Sequence, residues 1–132
     1  MAEFSKLMKI VLIINIIAAL IYGIFYLFIP EIYAGLVEAS DFNDQFYRLW
    51  GGTCISLGIF GILGFFRNDW GQFKMLFELV ILWLIITEII NLASFAYIVR
   101  TPANLVSEWI DVIVIILIIV MDIYAYMKEN KK

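Results

Sequence analysis

Four apolar runs, each about as long as a bilayer's hydrocarbon core is thick, limit this chain more than any other feature. They are Met8–Ile29, Tyr47–Phe66, Met75–Ile98 and Ile110–Met127. A helix needs roughly 20 apolar residues to cross a core of about 30 Å. Backbone groups in lipid find no water, so a spanning segment satisfies itself as a helix. Of the 132 residues, 64% are hydrophobic and only 16% charged, too apolar for a soluble domain of this length to hide. The connectors (30–46, 67–74 and 99–109) are short, which favours neighbours running in opposite directions. The expected fold is all-α: one integral membrane domain over 1–132, a four-helix transmembrane bundle in up-down-up-down order.

The second run, YRLWGGTCISLGIFGILGFF, is the one the others must accommodate. Gly51, Cys54, Gly58 and Gly61 are spaced 3, 4 and 3 apart, and Gly64 extends the same helical stripe. Such a stripe lets another helix approach closely where hydrophobic drive between helices is missing. These five are expected to be packing positions. A cavity lining or a sliding surface is the alternative. Cys54, set in an apolar stripe, reads as packing and not as a reactive thiol.

Run one could be taken for a secretory signal, because Lys6 and Lys9 stand at its start. It is too long for that and no A-x-A-like site follows, so it is read as a retained first span. Seven of the nine Lys and Arg residues (Lys6, Lys9, Arg67, Lys74, Lys128, Lys131, Lys132) fall on one side of a four-span layout. The positive-inside rule puts that side, and both termini, in the cytoplasm, with the chain in the cell membrane. The first outer connector is acidic, with Glu31, Glu38, Asp41 and Asp44. Within 31–38, Ile32, Tyr33, Leu36 and Val37 share one face, the pattern of a short helix lying on the outer surface. Thr101 before Pro102 predicts an N-cap and first helical residue, so the last helix should begin well ahead of Ile110. Aromatic residues gather at both ends of the spans, as interfacial belts do.

Polar side chains inside the spans are the only handles on mechanism, since charges in hydrocarbon are costly and usually face protein or water. By depth they fall into two groups. Arg48, Glu88, Asn91 and Asp111 lie in the outer half and form a candidate polar or ligand site, with Arg48 expected to pair with Asp111 or Glu88. Asn15, Glu78 and Asp122 form a second cluster in the inner half. Each group reads either as a lock on helix register or as a pocket for a lipid headgroup, a quinone-like molecule or a proton. Simple snorkelling to the interface is the third reading of Arg48.

One further pattern carries a resemblance. A span ends in Phe28-Ile29-Pro30, and an outer segment contains Gly35-Leu36. Then come Tyr47-Arg48-Leu49-Trp50-Gly51-Gly52 and Leu57-Gly58-Ile59-Phe60. Over residues 8–98 this order resembles the DoxX-like small four-helix membrane proteins, in particular their largely uncharacterised branch. The resemblance implies four spans and an outer site centred on Arg48. It also implies a link to quinone-associated oxidation or to assisting other membrane proteins. Thr87 and Glu88 occupy the zone of span three where a glycine-arginine pair would be expected. The layout is also similar to the four-helix scaffold protein of sterol synthesis.

The chain has one Cys and no His, which excludes a disulfide framework, a CxxC redox pair, a Cys/His zinc site and His-ligated haem. No catalytic residues, metal site or cofactor are expected, apart from a bound lipid or quinone. The scattered basic residues exclude nucleic acid as a partner. Three function classes remain. The first is a non-catalytic scaffold or lipid- or quinone-binding bundle, alone, as a homo-oligomer or with a membrane protein partner. The second is a small proton-coupled transporter using Glu88. The third is a membrane subunit of a redox complex.

Overall fold

The computed structural model describes residues 3–131. Among these residues the chain forms five helices: α1 (Lys6–Phe28), α2 (Pro30–Leu36), α3 (Asp44–Arg67), α4 (Trp70–Ser94) and α5 (Pro102–Glu129). All but α2 are long and apolar enough to cross a membrane. At 1.5 Å per residue, the 24 residues of α3 reach about 36 Å, more than a hydrocarbon core requires. The four spans expected from the sequence are therefore present as helices, and α2 is a fifth.

Local chemistry sets the ends. Ser5 caps α1, its hydroxyl accepting from the Met8 N–H at 3.1 Å. Asn43 caps α3 and Asp69 caps α4, each by accepting a backbone N–H through its side chain. Thr101 caps α5 with Pro102 as its first residue, as predicted, so this helix starts eight residues before the apolar run. The connector between α3 and α4 shrinks to Asn68 and Asp69. Asn68 takes the left-handed conformation (φ 51°) and returns its N–H to the Gly64 carbonyl. Asparagine tolerates that conformation better than most residues, which permits so tight a reversal. Span three ends at Ser94, four residues short of its apolar run, because the chain turns there to bring Arg100 back onto the helix end.

The short helix α2 buries Pro30 and Ala34, with Tyr33 half-buried. Ile32 and Leu36, expected on a shared face with Tyr33, are instead 60% and 73% exposed. The inward face turns on the 30, 34 spacing, so the two large aliphatic chains point outward at interface depth.

The closest pairing is α1 on α3. As numbers rise along α3 they fall along α1. A Cβ added at Gly51 would sit 2.8 Å from the Tyr26 carbonyl carbon. One at Gly58 would meet Leu20 Cδ2 at 3.0 Å, and one at Gly61 would meet Ile16 Cγ1 at 2.8 Å. Gly23 of α1 returns the favour to Ile55 of α3, and Gly64 receives the Phe73 ring of α4. Gly51, Cys54, Gly58, Gly61 and Gly64 are the five buried residues of α3. The glycine stripe is a packing groove filled by a neighbouring helix along its length.

Packing is uneven from end to end. At one end the start of α1, the α3–α4 turn and the end of α5 are tied together. The Phe4 N–H donates to Asn68 Oδ1 (3.1 Å), the Ser5 N–H to Glu129 Oε1 (3.0 Å), and Trp70 Nε1 to Asn130 Oδ1 (3.3 Å). Phe4, Met8, Trp70, Phe73 and Phe77 form the buried core beneath these ties, with ring pairs in edge contact such as Trp70 and Phe77 at 6.0 Å. Toward the other end side chains of α1, α3, α4 and α5 surround an open space, with Trp50 of α3 and Trp83 of α4 in its wall.

Candidate ligand cavity

A cavity of about 460 Å³ lies among α1, α3, α4 and α5. That lies in the range of small-molecule sites, roughly 300–1,000 Å³. Its deep end is mostly apolar, walled by side chains such as Leu12, Ile16, Phe73, Phe77 and Ile118, with Asn15 a polar exception. Toward the mouth, Trp50 of α3 and Trp83 of α4 stack at 5.2 Å, and both line the cavity. The mouth is polar, with Asp41, Asn91, Arg100, Glu108 and Asp111 among tyrosines.

Tyrosines shape this mouth. Tyr22 donates to Asp111 Oδ1 at 2.6 Å and stacks on Tyr26 at 6.1 Å. Tyr26 in turn packs against Tyr33 (5.0 Å) and Tyr47 (5.1 Å). Tyr33, on α2 outside the spans, is the second phenol beside Asp111. Burial pushes its hydroxyl above the ordinary tyrosine range, and Asp111 pushes the same way. It therefore stays protonated at neutral pH and can only donate to a carboxylate.

Arg100 is the cation of the mouth. Its side chain is 5% exposed. Nη1 donates to the carbonyls of Ser94 and Ile98, both at 3.1 Å, and Nη2 donates to Ser94 Oγ. The guanidinium thus closes the C-terminal end of α4, where carbonyls lack helical partners and a positive charge meets the helix dipole. It lies 4.6 Å over the Phe95 ring and 3.9 Å from Glu108, a loose ion pair, while Nε has no partner.

The expected pairing of Arg48 with Asp111 or Glu88 does not form. Arg48 Nε donates to Asp44 (2.9 Å), Nη2 to Glu31 (2.9 Å), and Nη1 to the Leu27 carbonyl (2.8 Å). Asp44 stands one turn earlier on the same helix, and the contact at Gly51 brings the end of α1 within reach. The side chain, 41% exposed, stays at the surface and does not line the cavity. Of the outer group, Asn91 and Asp111 meet at the cavity. Glu88 is buried on α4 away from the lining, with neither carboxyl oxygen hydrogen-bonded.

The inner cluster is half assembled. Asn15 Nδ2 donates to Asp122 Oδ1 at 2.6 Å and to the Val11 carbonyl at 3.0 Å, while Asp122 is completely buried and its Oδ2 lacks a partner. Glu78 instead accepts from the Tyr126 hydroxyl at the exposed side of α4. Cys54 and Gly61 line the cavity as well as the groove. Among the described residues no cluster of three or more His, Cys, Asp or Glu is arranged to hold a metal ion.

Sequence reasoning missed Arg100, Glu108 as its partner, and the tyrosine cluster. Tyr22 and Tyr26, four apart on α1, share a helical face legible in the sequence, whereas Tyr33 lies on α2 beyond the break at Pro30, where no single-helix spacing places it. Comparison with protein-family models, with curated proteins and with solved structures found no match to this chain.

Proposed function

We propose that this chain is a non-catalytic membrane protein that holds one amphiphilic molecule, a lipid or a quinone, in the cavity among α1, α3, α4 and α5. The spans then run up-down-up-down, with the tied, lysine-bearing end in the cytoplasm and the polar mouth on the outer side. The carrying observation is the graded cavity: apolar where the bundle is tightly packed, polar where Asp111 and Arg100 stand. The bilayer is the first partner, since Ile17, Phe66, Leu117 and many other large apolar side chains face outward. The resemblance to DoxX-like proteins agrees with this reading. A scaffold role, as a homo-oligomer or beside another membrane protein, is compatible with it, as is service as a membrane subunit of a redox complex.

Native mass spectrometry of protein purified in mild detergent tests the proposal. The expected spectrum shows one retained adduct per chain, lost when Leu84→Trp fills the cavity wall. Bare protein in both forms refutes it. A second reading, proton-coupled transport through Glu88, draws on its two unpartnered buried oxygens. Glu88→Gln should then abolish transport in vesicles while the protein keeps its thermal stability.

A further inference from the structure

We infer that the cavity selects an organic cation with an apolar body, a choice that rests on the amphiphile-binding reading and sets aside the neutral quinone in favour of a cationic head. The charged groups facing the mouth are Asp41, Glu108 and Asp111 against the single guanidinium of Arg100. Three carboxylates against one cation leave an excess of two negative charges. Arg100 adds little pull on an anion. Most of its donors are spent on the end of α4, and what charge it offers faces Glu108 at 3.9 Å. The carboxylate of Asp111, by contrast, holds only neutral donors: it accepts from the Tyr22 phenol at 2.6 Å and has the Tyr33 phenol beside it. Asp41 is exposed, but Asp111 and Glu108 are part-buried, and there a carboxylate attracts a cation more strongly than it would in bulk solvent.

The walls favour the same sign. Tyr22, Tyr26, Tyr47 and Trp50 line the mouth and the passage below it. Aromatic faces carry negative potential and recognise alkylammonium and other soft cations, more so when desolvated. Below them the lining is mostly apolar down to Phe77, with Thr87 and Asn15 the polar exceptions, which suits a cation with a hydrophobic body. An ammonium or phosphonium centre would sit beside Asp111 within the tyrosines, with its apolar groups reaching down toward Phe77 and Leu12. A small inorganic cation would leave the apolar length unfilled, and an anion would face the carboxylate surplus.

The test uses three probes on the full chain in nonionic detergent: tetraphenylphosphonium, its near-isosteric anion tetraphenylborate, and the neutral N-phenyl-1-naphthylamine. Saturable binding is measured by equilibrium dialysis. The expected result is saturable binding of the phosphonium, which displaces the neutral probe, with no saturable binding of the borate. Asp111→Asn should weaken the phosphonium about tenfold, the loss of one charge contact. Borate binding as tight as phosphonium binding, or an unchanged phosphonium affinity in a folded Asp111→Asn protein, overturns the cation inference. If the neutral probe still binds in that case, the amphiphile reading stands. No saturable binding of any probe overturns both. The phosphonium–borate contrast needs only the wild-type chain, so a variant that fails to fold does not block the decision.

Discussion

Replacing Gly51 with alanine adds one methyl group directly against the backbone of α1. The new Cβ would lie 2.8 Å from the Tyr26 carbonyl carbon and 2.9 Å from Leu27 Cα, both backbone atoms of α1. Carbon atoms settle at about 3.5 Å or more, so α1 must retreat by roughly 0.6–0.7 Å, and a backbone cannot swing aside as a side chain can. Overpacking of this kind costs about 1–3 kcal/mol. The retreat also draws the Leu27 carbonyl away from Arg48. Two neighbours serve as controls. Gly58 would meet the flexible end of Leu20 at 3.0 Å, and Gly52 has nothing within 4 Å. Gly52→Ala should be neutral or stabilising, by up to about 1 kcal/mol, because alanine is the better helix former. The expected order of stability is Gly52→Ala, then Gly58→Ala, then Gly51→Ala, with a loss of about 2 kcal/mol for the last. Reversible unfolding in mixed micelles with increasing dodecyl sulfate reads this directly. Equal losses at positions 51 and 52 would refute the close approach of α1 and α3.

Removing the amide in Asn15→Ala leaves Asp122 buried with no partner, and unfolding in the same micelles should register a loss of about 1–3 kcal/mol. Asp122→Asn, which can still bond to Asn15, should lose less. Tyr22→Phe removes the donor to Asp111 Oδ1 and should lower the melting temperature in detergent, at a cost of about 1–3 kcal/mol, while leaving the groove intact. Arg48→Met should cost no more than about 1 kcal/mol by the same assay, since its ion pairs are solvent-exposed. A large loss there would mean Arg48 reaches into the bundle after all.

What the sequence shows well is whatever a single helix decides for itself. Run length announces the spans, the 3, 4, 3 spacing announces the groove from Gly51 to Gly64, and Thr101-Pro102 announces the start of α5. Depth matching also found Asn15 and Asp122, because both sit in the inner halves of spans whose neighbours are set by short connectors. Arg48 misled because depth alone does not tell which way a long side chain leans. Asp44, four residues earlier, offered a partner on its own helix and needed no crossing of the bundle. Arg100 was invisible for the opposite reason. It stands in a connector, where a cation ordinarily faces water, and only the fold-back onto Ser94 buries it. The cavity itself depends on how α1, α3, α4 and α5 are set around it, a property of four helices that no single one's sequence states.

Determining the structure experimentally in a lipid nanodisc tests the central claim most directly. The expected result is an open space among α1, α3, α4 and α5 with elongated non-protein density in it, its head beside Asp111 and its tail ending near Phe77. The four helices packed together with the cavity closed would contradict it.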